Sequence, residues 1–232
     1  MDPRLVFELK SWARGCRVIL EPGAGLGVVT AALSDVAGSV LGVELDNRLL
    51  PVLREVSAEH AKIDIVNADV LELNARRFEC IVGNPPYSIT GPFLSKIVTE
   101  YQPRFAALTL QKEVAERLAS KPGSSMYGRI TVLVQAVYSV KLGGYYPPRS
   151  FYPSPDVASR VVVLEIRERL PSKLLRRLEE VSRCLFSERR KKASKIVRKC
   201  CGRVPHWLDG EKRVYELEPR EVLRLAIEGC RD

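Results

Sequence analysis

Residues 17–28 read RVILEPGAGLGV: a short apolar run, Arg17–Glu21, that breaks into glycines at 23, 25 and 27. The run is rich in β-branched residues and too short for a helix, so it predicts a buried strand. Glycines after a strand let the backbone turn sharply and let a ligand approach the main chain with no Cβ in the way. The next apolar residues, Val28–Ala37, recur at helical spacing, and a helix that starts there presents unpaired N–H groups to the loop. The spacing Gly-x-Gly-x-Gly differs from the Gly-x-Gly-x-x-Gly of dinucleotide sites. By itself such a loop is equally a plain tight turn.

Working outward, the same alternation continues. Ser39–Glu44, Asp64–Val66, Glu79–Gly83, Phe105–Gln111, Ile130–Val140 and Arg160–Ile166 read as further strands. Arg48–Ala61, Thr90–Glu100 and Glu113–Ala119 read as helices between them. Alternation of this kind predicts an α/β fold, a mostly parallel sheet with helices on both faces. Two Gly/Pro/Ser clusters, Lys121–Gly128 and Gly143–Pro155, read as loops. After Pro171 the texture changes to charged segments with helical spacing: Ser172–Leu185, Arg189–Cys200 and Pro219–Ile227. The expected division is therefore a ligand-binding domain over 1–167 and a small helical domain over 168–232.

Ligands in such sheets sit beyond the carboxyl ends of the strands. The second strand ends at Glu44, followed by Leu45, and a carboxylate there can accept from both hydroxyls of a ribose. The third ends in Asn67-Ala68-Asp69, followed by Val70, and an acid there can accept from the exocyclic amine of adenine. Each acid alone is also a helix cap or a surface charge; with the glycine loop they describe a nucleoside site. No Gly-x-x-x-x-Gly-Lys-Ser/Thr is present, and no basic residue follows the loop before Arg48, so a polyphosphate lacks its counter-charge. S-adenosylmethionine fits better, with Glu21 suited to its cationic end. The expected cofactor set is Glu21, Gly23, Gly25, Gly27, Glu44, Leu45, Asp69 and Val70.

The fourth strand ends in Gly83-Asn84-Pro85-Pro86-Tyr87. An aromatic amine is a poor nucleophile because its lone pair is delocalised into the ring. The Asn84 side-chain oxygen and the Pro85 carbonyl can both accept from such an amine and favour a pyramidal nitrogen. Tyr87 offers a flat face to a base, worth roughly 1–3 kcal/mol. No general base is needed before attack, so catalysis is positioning and electrostatic preorganisation. The base must be single-stranded or flipped out. Phe151, in Phe151-Tyr152-Pro153-Ser154-Pro155, is a candidate second wall; on the residues alone, a core-packing Phe fits nearly as well.

Composition points the same way. Of a net charge of +9, residues 166–232 carry 19 Lys/Arg against 11 Asp/Glu, and Arg183–Arg203 holds nine basic residues and one acid, Glu188. A local basic patch predicts a polyanionic partner, with Arg189, Arg190, Lys191 and Lys192 at its centre. No apolar run is long enough to span a membrane, and the first 15 residues resemble no leader, so the expected location is the cytoplasm. The six cysteines show no Cys-x-x-Cys pair, and only two histidines are present, so neither a metal site nor a disulfide scaffold is expected. Asn and Gln together number seven in a chain that is 28% charged, a hint of a heat-loving source in which a cytosolic disulfide has precedent.

With these motifs the sequence resembles the KsgA-type small-subunit ribosomal RNA adenine N6-dimethyltransferase family over nearly its whole length. Further matching stretches are Leu110–Leu118, Ser125–Arg129, Phe151–Val163, Phe186–Lys191 and Leu217–Leu225. The resemblance implies a class I, Rossmann-like methyltransferase fold with a small C-terminal helical domain. It implies methyl transfer from S-adenosylmethionine to two adjacent adenosines near the 3′ end of small-subunit rRNA, two methyls on each. By position Gly23, Glu44, Asp69 and Asn84 match the family's cofactor contacts, Asn84 and Tyr87 its target-base motif, and Arg189–Lys192 a region expected to meet rRNA in a pre-ribosomal particle. A monomer is expected. Three features depart from the family pattern. The usual Gly-Gln-Asn/His-Phe-Leu opening has no counterpart in these residues. Pro85-Pro86, the spelling of DNA methylases, stands where the family more often has Leu-Pro. The glycine loop reads Glu-Pro-Gly-Ala-Gly in place of Glu-Ile-Gly-Pro-Gly. The alternatives are a methylase acting on a DNA or large-subunit rRNA adenine, and a non-catalytic RNA-binding assembly factor.

Overall fold

The computed structural model describes residues 1–74 and 78–229; Cys230 lies outside them. The first element, α1 (Pro3–Ala13), was not expected from the sequence. Asp2 caps it, its side chain accepting from the Arg4 N–H at 2.9 Å, and Pro3 occupies the first turn. Leu5, Leu9 and Ala13 repeat every four residues and are fully buried. They share one core cluster with Ile19, Leu33, Val40, Cys80 and Val163, and Trp12 stacks on Phe105 at 5.9 Å. The charged residues between them lie on the other face, which explains how a helix hid in a stretch that reads as mixed.

The sheet is built from β1 (Val18–Pro22), β2 (Ser39–Glu44), β3 (Ile63–Asn67), β4 (Cys80–Gly83), β5 (Phe105–Gln111), β6 (Tyr138–Tyr146) and β7 (Ser159–Ile166). Its order is β3-β2-β1-β4-β5-β7-β6. β1 pairs in parallel with β2 and β4, β2 with β3, and β4 with β5; β7 is antiparallel to β5. The helices between strands are α2 (Val28–Ser34), α3 (Leu50–Glu59), α4 (Thr90–Lys96), α5 (Lys112–Leu118) and α6 (Arg129–Val137). After the sheet come α7 (Ser172–Phe186), α8 (Ala193–Cys201) and α9 (Pro219–Arg224). Because β1, β2, β3 and β4 run the same way, their carboxyl ends share one rim. The strand order reverses between β1 and β4, the place where open α/β sheets bind ligands.

Two expectations are corrected. Ile130–Val140 is not a strand: most of it is α6, and the strand β6 begins only at Tyr138 and runs through Gly143–Tyr146, expected as loop. Thr131, Val132, Leu133, Val134 and Val137 are all buried. A helix buried on most of its face has no polar stripe, and its β-branched run is then indistinguishable from a strand by periodicity. What sets the helix is its start, where the Thr131 hydroxyl accepts from the Gly128 N–H and donates to the Arg117 carbonyl. Disulfides are also present: Cys16–Cys80 and Cys184–Cys200, with Cα atoms 6.1 and 6.0 Å apart. Sequence separations of 64 and 16 carry no recognisable spacing, so only the folded chain shows the pairs.

By compactness the chain forms two units. One holds Met1–Phe93, Pro103–Ala115 and Val140–Ile166, and the other Leu94–Gln102, Glu116–Ser139 and Arg167–Asp232. Segments from between the strands thus cluster with the C-terminal helices. In that second unit Leu175, Leu178, Val181 and Leu185 bury one side of α7, and the Tyr127 hydroxyl donates to the Leu217 carbonyl at 2.8 Å. Among the described residues no helix is long and apolar enough to cross a membrane.

Candidate active site

The glycine loop hangs from the end of β2. The Gly23 and Ala24 N–H groups both donate to the Val43 carbonyl, at 2.8 and 3.1 Å. Gly23, Gly25 and Gly27 have φ of +69°, +60° and +79°, a region open to glycine at no steric cost. A Cβ on Gly23 would lie 3.0 Å from Pro86 Cδ. The loop after β1 and the Asn84–Tyr87 turn after β4 are therefore in contact, which brings together the two motifs that the sequence singled out. Gly27 serves packing instead: a Cβ there would meet Val56 of α3 at 3.0 Å.

Glu44 is fixed by two main-chain donors. Its Oε2 accepts from the Gly25 N–H at 2.9 Å and its Oε1 from the Asp46 N–H at 2.8 Å. A carboxylate has about four lone-pair sites, so capacity for a diol remains. Asn67, which no motif singled out, steadies this turn by donating its amide to the carbonyls of Glu44 and Leu45 at 2.8 and 3.2 Å. Leu45 is left 64% exposed, an apolar surface at the rim. Asp69 Oδ1 accepts from the Leu71 N–H at 2.8 Å, so one of its oxygens closes a turn. Val70 is buried.

Glu21 is 1% exposed, and its Oε2 has no hydrogen-bond partner among the described residues. Burial pushes its carboxyl up to about 8; the Thr30 hydroxyl moderates the rise and the charge of Glu44 adds to it.

The Asn84 Oδ1 atom is likewise buried and without a hydrogen-bond partner among the described residues. Buried polar atoms are nearly always paired, so an orphaned acceptor at a strand end marks a place for a donor. Pro85 is buried and Pro86 exposed. Tyr87 is half-buried, and its hydroxyl is hydrogen-bonded to that of Ser159, a fully buried residue of β7. Burial raises the Tyr87 hydroxyl above its ordinary value, so it stays protonated. Ser159 is the second residue whose part the motif reading missed; it lies within the stretch Phe151–Val163, and only the folded chain brings it to Tyr87, 72 residues away. Phe151 is not an open wall. It is 8% exposed and belongs to the core cluster with Leu5, Leu9 and Tyr146. Tyr152, its neighbour, is 86% exposed.

In the second unit Arg189–Lys192 is a turn that precedes α8, not part of a helix. Its four cations differ. Arg189 donates to the Ser125 carbonyl at 2.9 Å and lies over the Tyr215 ring at 5.7 Å. Lys192 is paired with Glu211 at 2.8 Å. Arg190 and Lys191 are exposed. Among the described residues no cluster of His, Cys, Asp and Glu could hold a metal ion.

The comparisons with known proteins agree with this geometry. The family model described as "Ribosomal RNA adenine dimethylase" matches residues 14–227. The chain is 37% identical over 207 residues to the "Probable ribosomal RNA small subunit methyltransferase A" of Pyrobaculum aerophilum, covering 89% of this chain and 85% of that protein. To the protein of the same name from Aeropyrum pernix it is 35% identical, covering 100% and 86%. The crystal structure of a dimethyladenosine transferase from Plasmodium falciparum superposes with a TM-score of 0.83 at 24% identity, over 98% of this chain and 95% of that one, which shows a shared class I methyltransferase fold. An α/β sheet with its switch point at β1 and β4, a glycine loop touching an Asn-Pro-Pro-Tyr turn, and a match over nearly the full length lead to one conclusion: the chain belongs to the ribosomal RNA adenine dimethylase family of enzymes.

Proposed function

We propose that this enzyme transfers methyl groups from S-adenosylmethionine to N6 of two adjacent adenosines near the 3′ end of small-subunit rRNA, two on each base. It acts as a cytoplasmic monomer on a pre-ribosomal particle. The observation that carries the reading is the buried, unpartnered Asn84 Oδ1 beside the glycine loop. An exocyclic amine supplies the donor that this atom lacks.

The residues present suit the cofactor: Glu44, with lone pairs to spare beyond the Gly25 and Asp46 N–H groups, would hold a ribose, Asp69 Oδ2 would accept from an adenine amine, Leu45 would pack on the base, and the buried, unpartnered Glu21 Oε2 would meet the cationic end, while Gly23 lets the loop close against Pro86. S-adenosylmethionine, when bound, supplies a methyl group on a sulfonium, electrophilic enough to be attacked by a weak nucleophile. The chain's part is positional. Asn84 Oδ1 and the Pro85 carbonyl accept from the two amine hydrogens and turn the nitrogen lone pair outward. Tyr87 holds the base by its ring, which the bond to Ser159 keeps from swinging. No side chain takes a proton before attack. The methylated nitrogen carries the positive charge, so its proton becomes acidic and leaves afterward.

The test is a methylation assay with radiolabelled cofactor on immature small subunits, naked large-subunit rRNA and duplex DNA. Label is expected on two adjacent adenosines of the small subunit. Label confined to DNA or to large-subunit rRNA overturns the substrate assignment. Absence of cofactor binding by calorimetry favours an assembly factor without turnover.

A further inference from the structure

A groove of about 950 Å³ runs along α7 in the second unit. Leu175, Leu178 and Leu185 bury one side of that helix, and Leu174, Arg177, Val181 and Cys184 follow at helical spacing along the side that lines the groove. Ala226 and Ile227, from the segment Leu225–Gly229, supply more of its apolar surface, and Ile227 is 54% exposed. The Cys184–Cys200 bridge ties α7 to α8 beside it. The glycine loop and the Asn84–Tyr87 turn belong to the other unit, so methyl transfer leaves this groove unused.

Its charge is one-sided. Lys173, Arg176 and Arg177, neighbours three and four apart on α7, line it against one carboxylate, Glu180. The nearby acids are engaged elsewhere: Glu179 with Ser95 at 2.5 Å and Arg183 at 3.5 Å, and Glu228 with Arg224 at 3.1 Å. Among the described residues Lys173, Arg176 and Arg177 form no ion pair. Arg177 Nη2 is buried and has no hydrogen-bond partner among the described residues. A guanidinium donor withdrawn from water with nothing to bond marks a place for an acceptor, and a carboxylate matches its fork.

We propose that this groove docks an extended segment of a protein partner that is both acidic and aliphatic. RNA fits less well. No aromatic ring lines the groove, so a base has nothing to stack on, and a phosphate gains nothing from Leu174, Val181, Ala226 and Ile227. Along α7 the lining spans Pro171 to Cys184, about 20 Å at about 1.5 Å per residue. Spread over that length the volume gives a channel about 8 Å across, narrower than the roughly 10–12 Å of a helix with its side chains. A strand of about six residues covers the same length and alternates its side chains. Aliphatic residues on one of its faces then meet the floor, and carboxylates on the other meet the long cationic side chains of the rim. This reading does not depend on the methyl-transfer reaction.

The experiment measures, by anisotropy, binding of a fluorescent peptide of about eight residues, Glu and Leu alternating, long enough to span the groove. The proteins compared are the full chain, K173E/R176E and I227D, with circular dichroism to verify each fold. Lys173, Arg176 and Ile227 are exposed, so the changes leave the core alone. The expected result is saturable binding below about 1 mM that K173E/R176E and I227D each weaken severalfold. Replacing Glu by Lys, or Leu by Ser, in the peptide should abolish it; if I227D fails to fold, the Ser peptide tests the apolar floor. Binding that does not saturate, or that the variants and the altered peptides leave unchanged, overturns the proposal. Loss of rRNA affinity in K173E/R176E without peptide binding by the full chain assigns the groove to RNA and overturns it. So does a dimer, seen by sedimentation, that I227D dissolves, which assigns the groove to a second copy. Peptide binding that appears only in a chain ending at Gly229 assigns the groove to residues 230–232, and this too overturns the proposal.

Discussion

Replacing Glu21 by Gln isolates one buried ionisation. The carboxyl is 1% exposed, and burial, with the charge of Glu44 adding to it, lifts its value from 4.5 to about 8. The folded protein therefore holds a proton on Glu21 at neutral pH that the unfolded chain has lost. The stability tied to that proton is fully present below about pH 4.5 and is lost as pH rises through 8. The gap is about 3.5 pH units, and at 1.36 kcal/mol per unit it amounts to about 5 kcal/mol. Gln has nearly the same shape and does not titrate. The variant should match the parent near pH 5 and exceed it by about 5 kcal/mol at pH 9, roughly 10–20 °C in Tm for a chain of this size. Differential scanning calorimetry of both proteins across that range measures the difference, and the acid-range contributions of groups such as Asp46 cancel in it. A cationic ligand beside Glu21 should expel the proton. Calorimetric titration with S-adenosylmethionine at pH 7, in buffers of different ionisation enthalpy, should then show close to one proton released by the parent and none by E21Q. Parallel stability profiles for the two proteins from pH 5 to 9 would refute the reasoning.

Asn84→Ala should remove turnover and leave RNA affinity nearly intact, since the amide acts on the amine and not on phosphate; equal loss of both in methylation and anisotropy assays would contradict its role. Gly23→Ala should weaken cofactor binding at least tenfold by calorimetry, because φ is +69° and the new Cβ lies 3.0 Å from Pro86 Cδ. Tyr87→Phe leaves the buried Ser159 hydroxyl without its partner and should cost about 1–3 kcal/mol of stability by denaturant unfolding. Cys16→Ser and Cys184→Ser should cost about 4 and about 3 kcal/mol respectively, from the loops of 64 and 16 residues they open; unfolding curves that do not respond to reductant in the parent would show that the bridges do not form.

Much of this site is local in the chain. Strands that run one way place whatever follows them on one rim, so Gly23, Glu44, Asp69 and Asn84 could be read together from the ends of four apolar runs. The same logic explains why the alternation yields a parallel sheet. What the chain conceals is set by contacts between distant segments. Whether Ile130–Val137 is helix or strand depends on burial on all sides, which removes the periodicity that would tell them apart. Whether Phe151 faces a ligand or the core depends on α1, whose Leu5 and Leu9 share its cluster. Ser159 reaches Tyr87, Cys16 reaches Cys80 and Arg213 reaches the Arg190 carbonyl across separations of 72, 64 and 23 residues. An orphaned atom such as Asn84 Oδ1 is defined by what fails to surround it, and that is a property of the folded neighbourhood alone.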